Sequence, residues 1–331
     1  MKLFCLCFSM ALACCAAEPA AWRVPVTALV FTPAGDALLA SGKRAILVYA
    51  AKDASLQRTL PSNLPRISSM AFSPKGDLLA VGGGVPGSNG SVQLFDWKGN
   101  SDSRELTNRS DLITSVAFSP DGHWLAMAGS DARVEIMSVR DRGAILSSHL
   151  ALSGHAGPVL AVAFGPDGRL VATASADRSV KVWDASSGKL TLSFSHHTAG
   201  VHCLAFRPQD PMSSTDARPA FCASGSDDQT VRVWQPEIGR MVRIVRHHQG
   251  PTFALVYSRD GSALFSAGRE GIVRVIDADS DTILREWQAH QDWIYAMALS
   301  PDGRTLATGD WSGQIKLWET ETGKLVAASK Q

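Results

Sequence analysis

Histidine is the first residue type whose spacing invites chemistry. The chain has nine, including the adjacent pairs His196-His197 and His247-His248 with His202 close by, and neutral imidazoles so grouped could ligate a divalent metal. Such a site needs further acidic or thiolate ligands at short spacing, and none accompanies them, so no metal is expected. His155, His197, His248 and His290 each stand four residues before a run of apolar residues, at Val159, Val201, Thr252 and Ile294. That regularity marks them as structural and leaves His196, His202 and His247 as loop or rim residues. No CxxCH sequence is present, so covalent haem is not expected. Cys203 and Cys222 could pair, but Cys203 stands where the other runs carry Ala or Ser, and Cys222 where they carry Leu38, Leu79, Leu125, Val171, Leu264 and Leu306. Both therefore read as small buried hydrophobes, with a disulfide as the alternative. Gly82-Gly83-Gly84, followed by Pro86-Gly87-Ser88-Asn89-Gly90, lacks the Lys-Ser/Thr ending of a phosphate loop and reads as an enlarged turn. No Ser-His-Asp pattern, nucleophile elbow or carboxylate cluster rises above the background, so no catalytic residue and no cofactor is expected.

The elements that position these residues recur. Apolar runs begin at Val26, Ile67, Ile113, Val159, Val201, Thr252 and Ile294, and each leads to a turn marked by Pro33, Pro74, Pro120, Pro166, Pro208, Arg259 or Pro301. Those turn residues lie 41, 46, 46, 42, 51 and 42 residues apart. A second, alternating strand in each unit ends at Tyr49, Phe95, Met137, Trp183, Trp234, Ile276 or Trp318. The 51-residue interval contains a polar insert, Asp210 to Pro219, read as a surface loop. In the first strand of each unit the third and fifth residues are small, as in Ala161 and Ala163, while the fourth and sixth are large, as in Val162 and Phe164. Alternate residues face opposite sides of a sheet, so each sheet has a small face and a bulky face, neither of them polar. The bulky face of one unit filling the small face of the next, repeated in a ring, covers both.

With Gly154-His155 and Trp183-Asp184 in the fourth unit, the chain resembles the WD-repeat (WD40) family over essentially its whole length beyond residue 17. The resemblance implies an all-β fold, a seven-bladed β-propeller of four-stranded antiparallel blades. It also implies buried hydrogen-bond tetrads, mapped onto His155, Thr173, Asp177 and Trp183 and onto His197, Ser224, Asp228 and Trp234. The seventh unit keeps His290, Thr308 and Trp318 but has Ser312 where the Asp belongs; the sixth has His248, Ser266, Glu270 and Ile276. The first three units are more degraded and are expected to rely on packing more than on the tetrad. Pro19 makes the residues before the first unit a poor outer strand, so the last blade is expected to be built wholly from the C-terminal residues, including Gly323 to Ala328.

Residues 1–17 read as an export signal: Lys2, an apolar run from Leu3 to Ala13, then Cys15-Ala16-Ala17 before Glu18. The run Ala11-Leu12-Ala13-Cys14 resembles a bacterial lipoprotein box imperfectly, which makes a lipid anchor at Cys14 or Cys15 the alternative to soluble export. The expected organisation is a leader, 1–17, and one propeller, 18–331, in the periplasm or cell envelope of a bacterial-type source. The remaining 314 residues give about 45 per unit, a propeller period. No later stretch is long and apolar enough to span a bilayer. Without Lys2 the chain has thirty-one basic and thirty-one acidic residues, and such a balance invites neither nucleic acid nor an anionic surface.

Trp293 and Trp311 have no place in the repeat pattern. Both fall on connections that open on one face of such a ring, with Tyr295 beside them and Arg269 in the matching turn of unit six. Exposed Trp, Tyr and Arg are the residues enriched at binding hot spots. The expectation is a monomeric, non-catalytic scaffold that binds another protein, of unknown identity, through these four residues. The alternative is an enzyme or ligand-binding propeller using the central channel. The second position of each first strand speaks against it: Thr27, Ser68, Thr114, Leu160, His202, Phe253 and Tyr295 include no acid.

Overall fold

The structure, a computed structural model, describes residues 24–99, 103–140, 144–208 and 220–329. The leader with Cys14 and Cys15, and the insert Asp210 to Pro219, lie outside the described residues. The rest is an all-β propeller of antiparallel sheets. Unit four shows the standard blade, with strands Val159–Phe164, Leu170–Ser175, Val180–Asp184 and Leu190–Phe194 hydrogen-bonded in that order. The turn between the first two strands is closed by Gly168, which has φ of 74° and donates its amide to Gly165 O. Such a left-handed position favours Gly, which is why Gly35, Gly76, Gly122, Gly261 and Gly303 stand at the same place in other units.

The expectation of seven separate four-stranded blades is corrected here. The described strands form six hydrogen-bonded sheets, because the first has six strands: β1 (Leu29–Phe31), β2 (Ala37–Ala50), β3 (Leu56–Phe72), β4 (Leu78–Val85), β5 (Asn89–Asp96) and β6 (Ser103–Glu105). The cause is local. β3 pairs with β2 through Leu56 to Pro61 and with β4 through Ile67 to Phe72, and Lys43 stands opposite Arg66 between the two stretches. Later units cross the same point on a bent loop such as Thr198-Ala199-Gly200, folded over by a His bonded to an Asp. Residues 62–66 have neither His nor Gly. Ser62 instead bonds Gln93 at 2.6 Å and Leu64 is buried, so the chain stays extended.

Buried apolar side chains fall into seven clusters among the described residues, each between consecutive repeat units. Ala161 of unit four, from the small face, packs with Leu204 and Phe206 of unit five, from the bulky face. At the seam Val26, Leu29 and Phe31 pack with Ala296, Ala307, Ile315 and Leu317. Among the described residues the last sheet consists of Ile294–Leu299, Thr305–Asp310, Ile315–Glu319 and Leu325–Ala328. Closure rests on side-chain packing and one backbone bond, Val26 N to Asp310 O at 3.0 Å.

The glycine run is an extended hairpin. Gly82, Gly83 and Gly84 pair with Val92, Ser91 and Gly90, and a Cβ on Gly83 would collide with the Arg66 carbonyl oxygen. Cys203 and Cys222 are free and buried. Phe206, not Cys203, lies opposite Cys222, so the two thiols face opposite sides of the sheet and cannot join. Burial pushes both thiol pKa values up, which makes them inert.

Candidate interaction face

Each inner strand from unit two onward carries a β-bulge at its second residue. The register shifts at Ile67/Ser69, Ile113/Ser115, Val159/Ala161, Val201/Cys203, Thr252/Ala254 and Ile294/Ala296. A bulge re-aims one side chain out of the alternation, and the residues re-aimed are Ser68, Thr114, Leu160, His202, Phe253 and Tyr295. The innermost strands are neighbours around the axis, so these side chains meet across blades. They divide the wall in two. Thr27, Ser68 and Thr114 each donate a hydroxyl to the first carbonyl of the next inner strand, at Ile67, Ile113 and Val159. The other side is aromatic: His202 meets Phe253 edge-on at 5.1 Å, and Phe253 stacks on Tyr295 at 4.8 Å with 8° between the planes.

The aromatic arc continues onto the face that holds the four residues expected to bind a partner, and the structure brings all four together. The Trp311 amide donates to Trp293 O at 2.9 Å. Tyr295 lies 6.2 Å from the Trp293 ring and 5.6 Å from the Trp311 ring, and the Arg269 guanidinium sits 5.2 Å over Trp293. Trp293 and Trp311 are 38% and 49% exposed, Tyr295 is half-buried and Arg269 is exposed. Phe253 and His202 belong to the same arc and were missed from sequence, where neither stands out from its strand. The signal available was the repeat position they share with Tyr295. His202 is also not a loop residue: it lies on the inner strand Val201–Phe206, with Nε2 2.8 Å from Asp227.

The tetrads hold the loops that present this face. In unit four His155 Nδ1 is 2.8 Å from Asp177, His155 Nε2 is 2.7 Å from Thr173 Oγ1, and Trp183 Nε1 donates to Thr173 at 2.9 Å. A carboxylate only accepts, so Nδ1 carries the proton, Nε2 accepts from the Thr hydroxyl, and that oxygen accepts from the indole. In unit five His197 makes the same bonds to Asp228 and Ser224 at 2.8 Å each. The expected fourth member fails there: Trp234 is buried but its Nε1 finds no acceptor among the described residues. Unit seven corrects the expectation in the opposite sense. Its carboxylate is supplied by Asp310, 2.7 Å from His290 Nδ1, while Ser312 donates to Asp310 at 2.8 Å. Trp318 completes that relay through Thr308 at 2.8 Å.

Units three and six rebuild the joint with arginine. Arg109, at the position of the structural His, is buried and pairs with Asp131 at 3.3 Å and Glu135 at 3.0 Å, so unit three does not rely on packing alone. In unit six Arg274 Nη1 lies 3.1 Å from His248 Nδ1. A guanidinium only donates, so His248 donates through Nε2 to Ser266, at 2.9 Å, the reverse of its counterparts. Glu270 pairs with Arg274 at 2.5 Å instead of bonding the His.

Burial lowers the pKa of His155 and His197 below the ordinary 6.5 against the opposing pull of Asp177 and Asp228, and lowers His248 to about 4. Burial alone would raise Asp177, Asp228 and Asp310, but the hydrogen bonds they accept outweigh it and hold all three below 3.8. Both shifts carry the same sign for stability. The unfolded chain binds protons at these groups more readily, so their stabilisation is complete above the unfolded pKa and is lost as pH falls through the folded one. Melting temperature is therefore expected to fall in two stages on acidification, first below pH about 6.5 as the histidines titrate in the unfolded chain and again below about 4 for the carboxylates. A melting temperature that stays flat from neutral pH into the carboxylate range would contradict neutral buried histidines.

Two family models match the chain. One, described as WDR90, 4th beta-propeller, covers residues 158–292; the other, described as WD domain, G-beta repeat, matches residues 54–96, 101–136 and 281–319. The chain is similar to WD repeat-containing protein VIP3 of Arabidopsis thaliana, at 31% identity over 34% of this chain and 36% of that protein. It is 36% identical to WD repeat-containing protein SL1-17 of Schistosoma mansoni over 45% of this chain and 46% of that protein. It is 28% identical to Actin-interacting protein 1 of Drosophila melanogaster over 44% of this chain and 23% of that protein. The matched stretches span less than half the length of each of these relatives.

Proposed function

We propose that this chain, which carries WD40 repeats folded as a β-propeller, is a non-catalytic scaffold that binds another protein on the face bearing Trp293, Trp311, Tyr295 and Arg269. WD40 propellers are typically protein-interaction scaffolds and generally not enzymes, and one relative is named for interacting with actin. The observation that carries the reading is two neighbouring exposed indoles, joined through a third ring and capped by an arginine. Solvent-facing Trp is costly unless it is covered by something, and rigid rings lose little entropy on binding.

We read the six-stranded sheet as two repeat units joined through the unbroken β3, with β2 turning at Arg44 so that its two halves serve as two strands of the first unit, which makes seven units in six sheets. The seven interunit clusters and the two pairing halves of β3 support that count.

A ligand-binding or enzymatic reading would draw on two grooves at the turns of the opposite face, of about 740 and 820 Å³, which share Arg259 and Asp302. Three of their four acids are engaged in closing turns: Asp36 accepts from Thr32 at 2.6 Å, Asp260 from Ser258 at 2.6 Å and Asp302 from Ser300 at 2.5 Å. That favours the scaffold. The test is capture of partners by the full chain beside its Trp293→Ala and Trp311→Ala variants. Partners retained equally by all three would sink the assignment.

Export is part of the reading, and it rests on the pattern of residues 1–17 alone, since the relatives named above are eukaryotic proteins. Among the described residues no helix is long and apolar enough to cross a membrane. Native protein is expected to begin near Glu18, or at a lipid-modified Cys14 or Cys15, when its N-terminus is read by mass spectrometry. An intact Met1 would refute export.

A further inference from the structure

The face that carries the two indoles is flanked on both sides by cations that form no ion pair among the described residues. Register fixes the equivalences. Leu38, Leu264 and Leu306 stand opposite the last residues of their inner strands, Phe31, Tyr257 and Leu299. Five residues further on, the turn position is Lys43 in unit one, Arg269 in unit six and Trp311 in unit seven. By the same logic Arg66, immediately before Ile67, occupies in unit two the place that Trp293, immediately before Ile294, holds in unit seven. Around the ring the order is therefore Arg269, the indoles, Lys43 with Arg44, then Arg66. Lys43, Arg44 and Arg66 are exposed, and Arg44 sits at the tip of its turn in the left-handed region, with φ of 52°.

Several acids of the same face are held in contacts of their own. Asp227 holds His202, Asp131 holds Arg109, Glu270 holds Arg274 and Asp310 holds His290. Asp292 accepts the Trp293 amide at 2.8 Å. Positive charge thus stands on both flanks of an apolar centre, Arg269 on one side and Lys43, Arg44 and Arg66 on the other, although the whole chain has a formal net charge of only +1. A partner complementary to that arrangement presents an apolar side chain to the indoles and carboxylates on either side of it.

Resting on the interaction reading above, we propose that the segment docking on this face is an acidic stretch of protein, with Asp or Glu flanking an apolar anchor. A single-stranded nucleic acid fits less well. Phe253 and Tyr295 stack on each other and Arg269 covers one face of the Trp293 ring, so a run of successive bases would find few open ring faces.

The experiment is selection of short random displayed peptides on the full chain, with counter-selection on the Trp293→Ala, Trp311→Ala double variant, followed by titration of the best synthetic peptide. The expected result is enrichment of Asp and Glu around an apolar residue. Affinity should fall about tenfold or more on combining Lys43→Glu with Arg66→Glu, and again at high salt, with the variant's melting temperature unchanged. Tryptophan-dependent peptides that show no acidic enrichment, or that ignore the charge reversals, would overturn the acidic partner and leave the interaction face standing. An absence of any tryptophan-dependent peptide would overturn both. An oligodeoxythymidine that binds the same residues more tightly than the selected peptide would replace the acidic segment with a nucleic acid and overturn the proposal.

Discussion

Replacing Trp183 by Ala is expected to destabilise the protein by about 3 to 5 kcal/mol, the range for removing a large buried ring. The side chain is fully buried in the cluster between units three and four, and its indole donates to Thr173, which in turn donates to His155. Trp234 provides an internal comparison, because it is equally buried and packs 4.9 Å from Phe194 but its Nε1 finds no acceptor among the described residues. An unpaired buried donor costs about 1 to 3 kcal/mol that its removal recovers. Trp234→Phe should therefore be close to neutral in thermal melts, while Trp183→Phe should cost about 1 kcal/mol or more by stripping the relay of its donor. Equal losses for the two Phe variants would show that the relay does not distinguish the blades.

The second large effect is on binding. Trp293→Ala and Trp311→Ala are each expected to weaken partner capture by about 2 kcal/mol or more, roughly thirtyfold in affinity, the scale of a tryptophan hot spot. Stability should barely change, since neither ring belongs to an interunit cluster and both are substantially exposed. The alternative is that the rings cap the end of the packing between units six and seven. In that case both variants would melt early and still hold the partner, and the two readouts separate the possibilities cleanly.

The repeat, the alternating faces and the position of the aromatic face were legible because each is a period in the chain. Period two separates Ala161 from Val162, and the recurrence of turn prolines places Trp293 and Trp311 on connections of one face. What escaped was geometry that short-range pattern does not encode. Asp310 replaces the missing acid of unit seven from two positions earlier, and Ser312, read as a loss, helps to hold it. Arg109 substitutes for a His by reaching two acids at once, which no match to a His-based motif would reveal. The fusion of the first two units falls at residues 62–66, which carry neither the His of later units nor an ion pair like that of Arg109, a signal visible in the chain but overshadowed by the regular markers on either side. The bulges that turn His202, Phe253 and Tyr295 into one arc lie between residues of ordinary strand composition, so the arc became visible only through register.

Amide hydrogen exchange of the full chain, free and in complex with its captured partner, tests the interaction face most directly. Binding through the indoles predicts slowed exchange in residues 290–295 and 310–314, extending to 268–271, with the turns around Pro301 and Asp36 on the opposite face unchanged. Protection confined to those opposite turns, or absent from both tryptophan connections, would contradict the account.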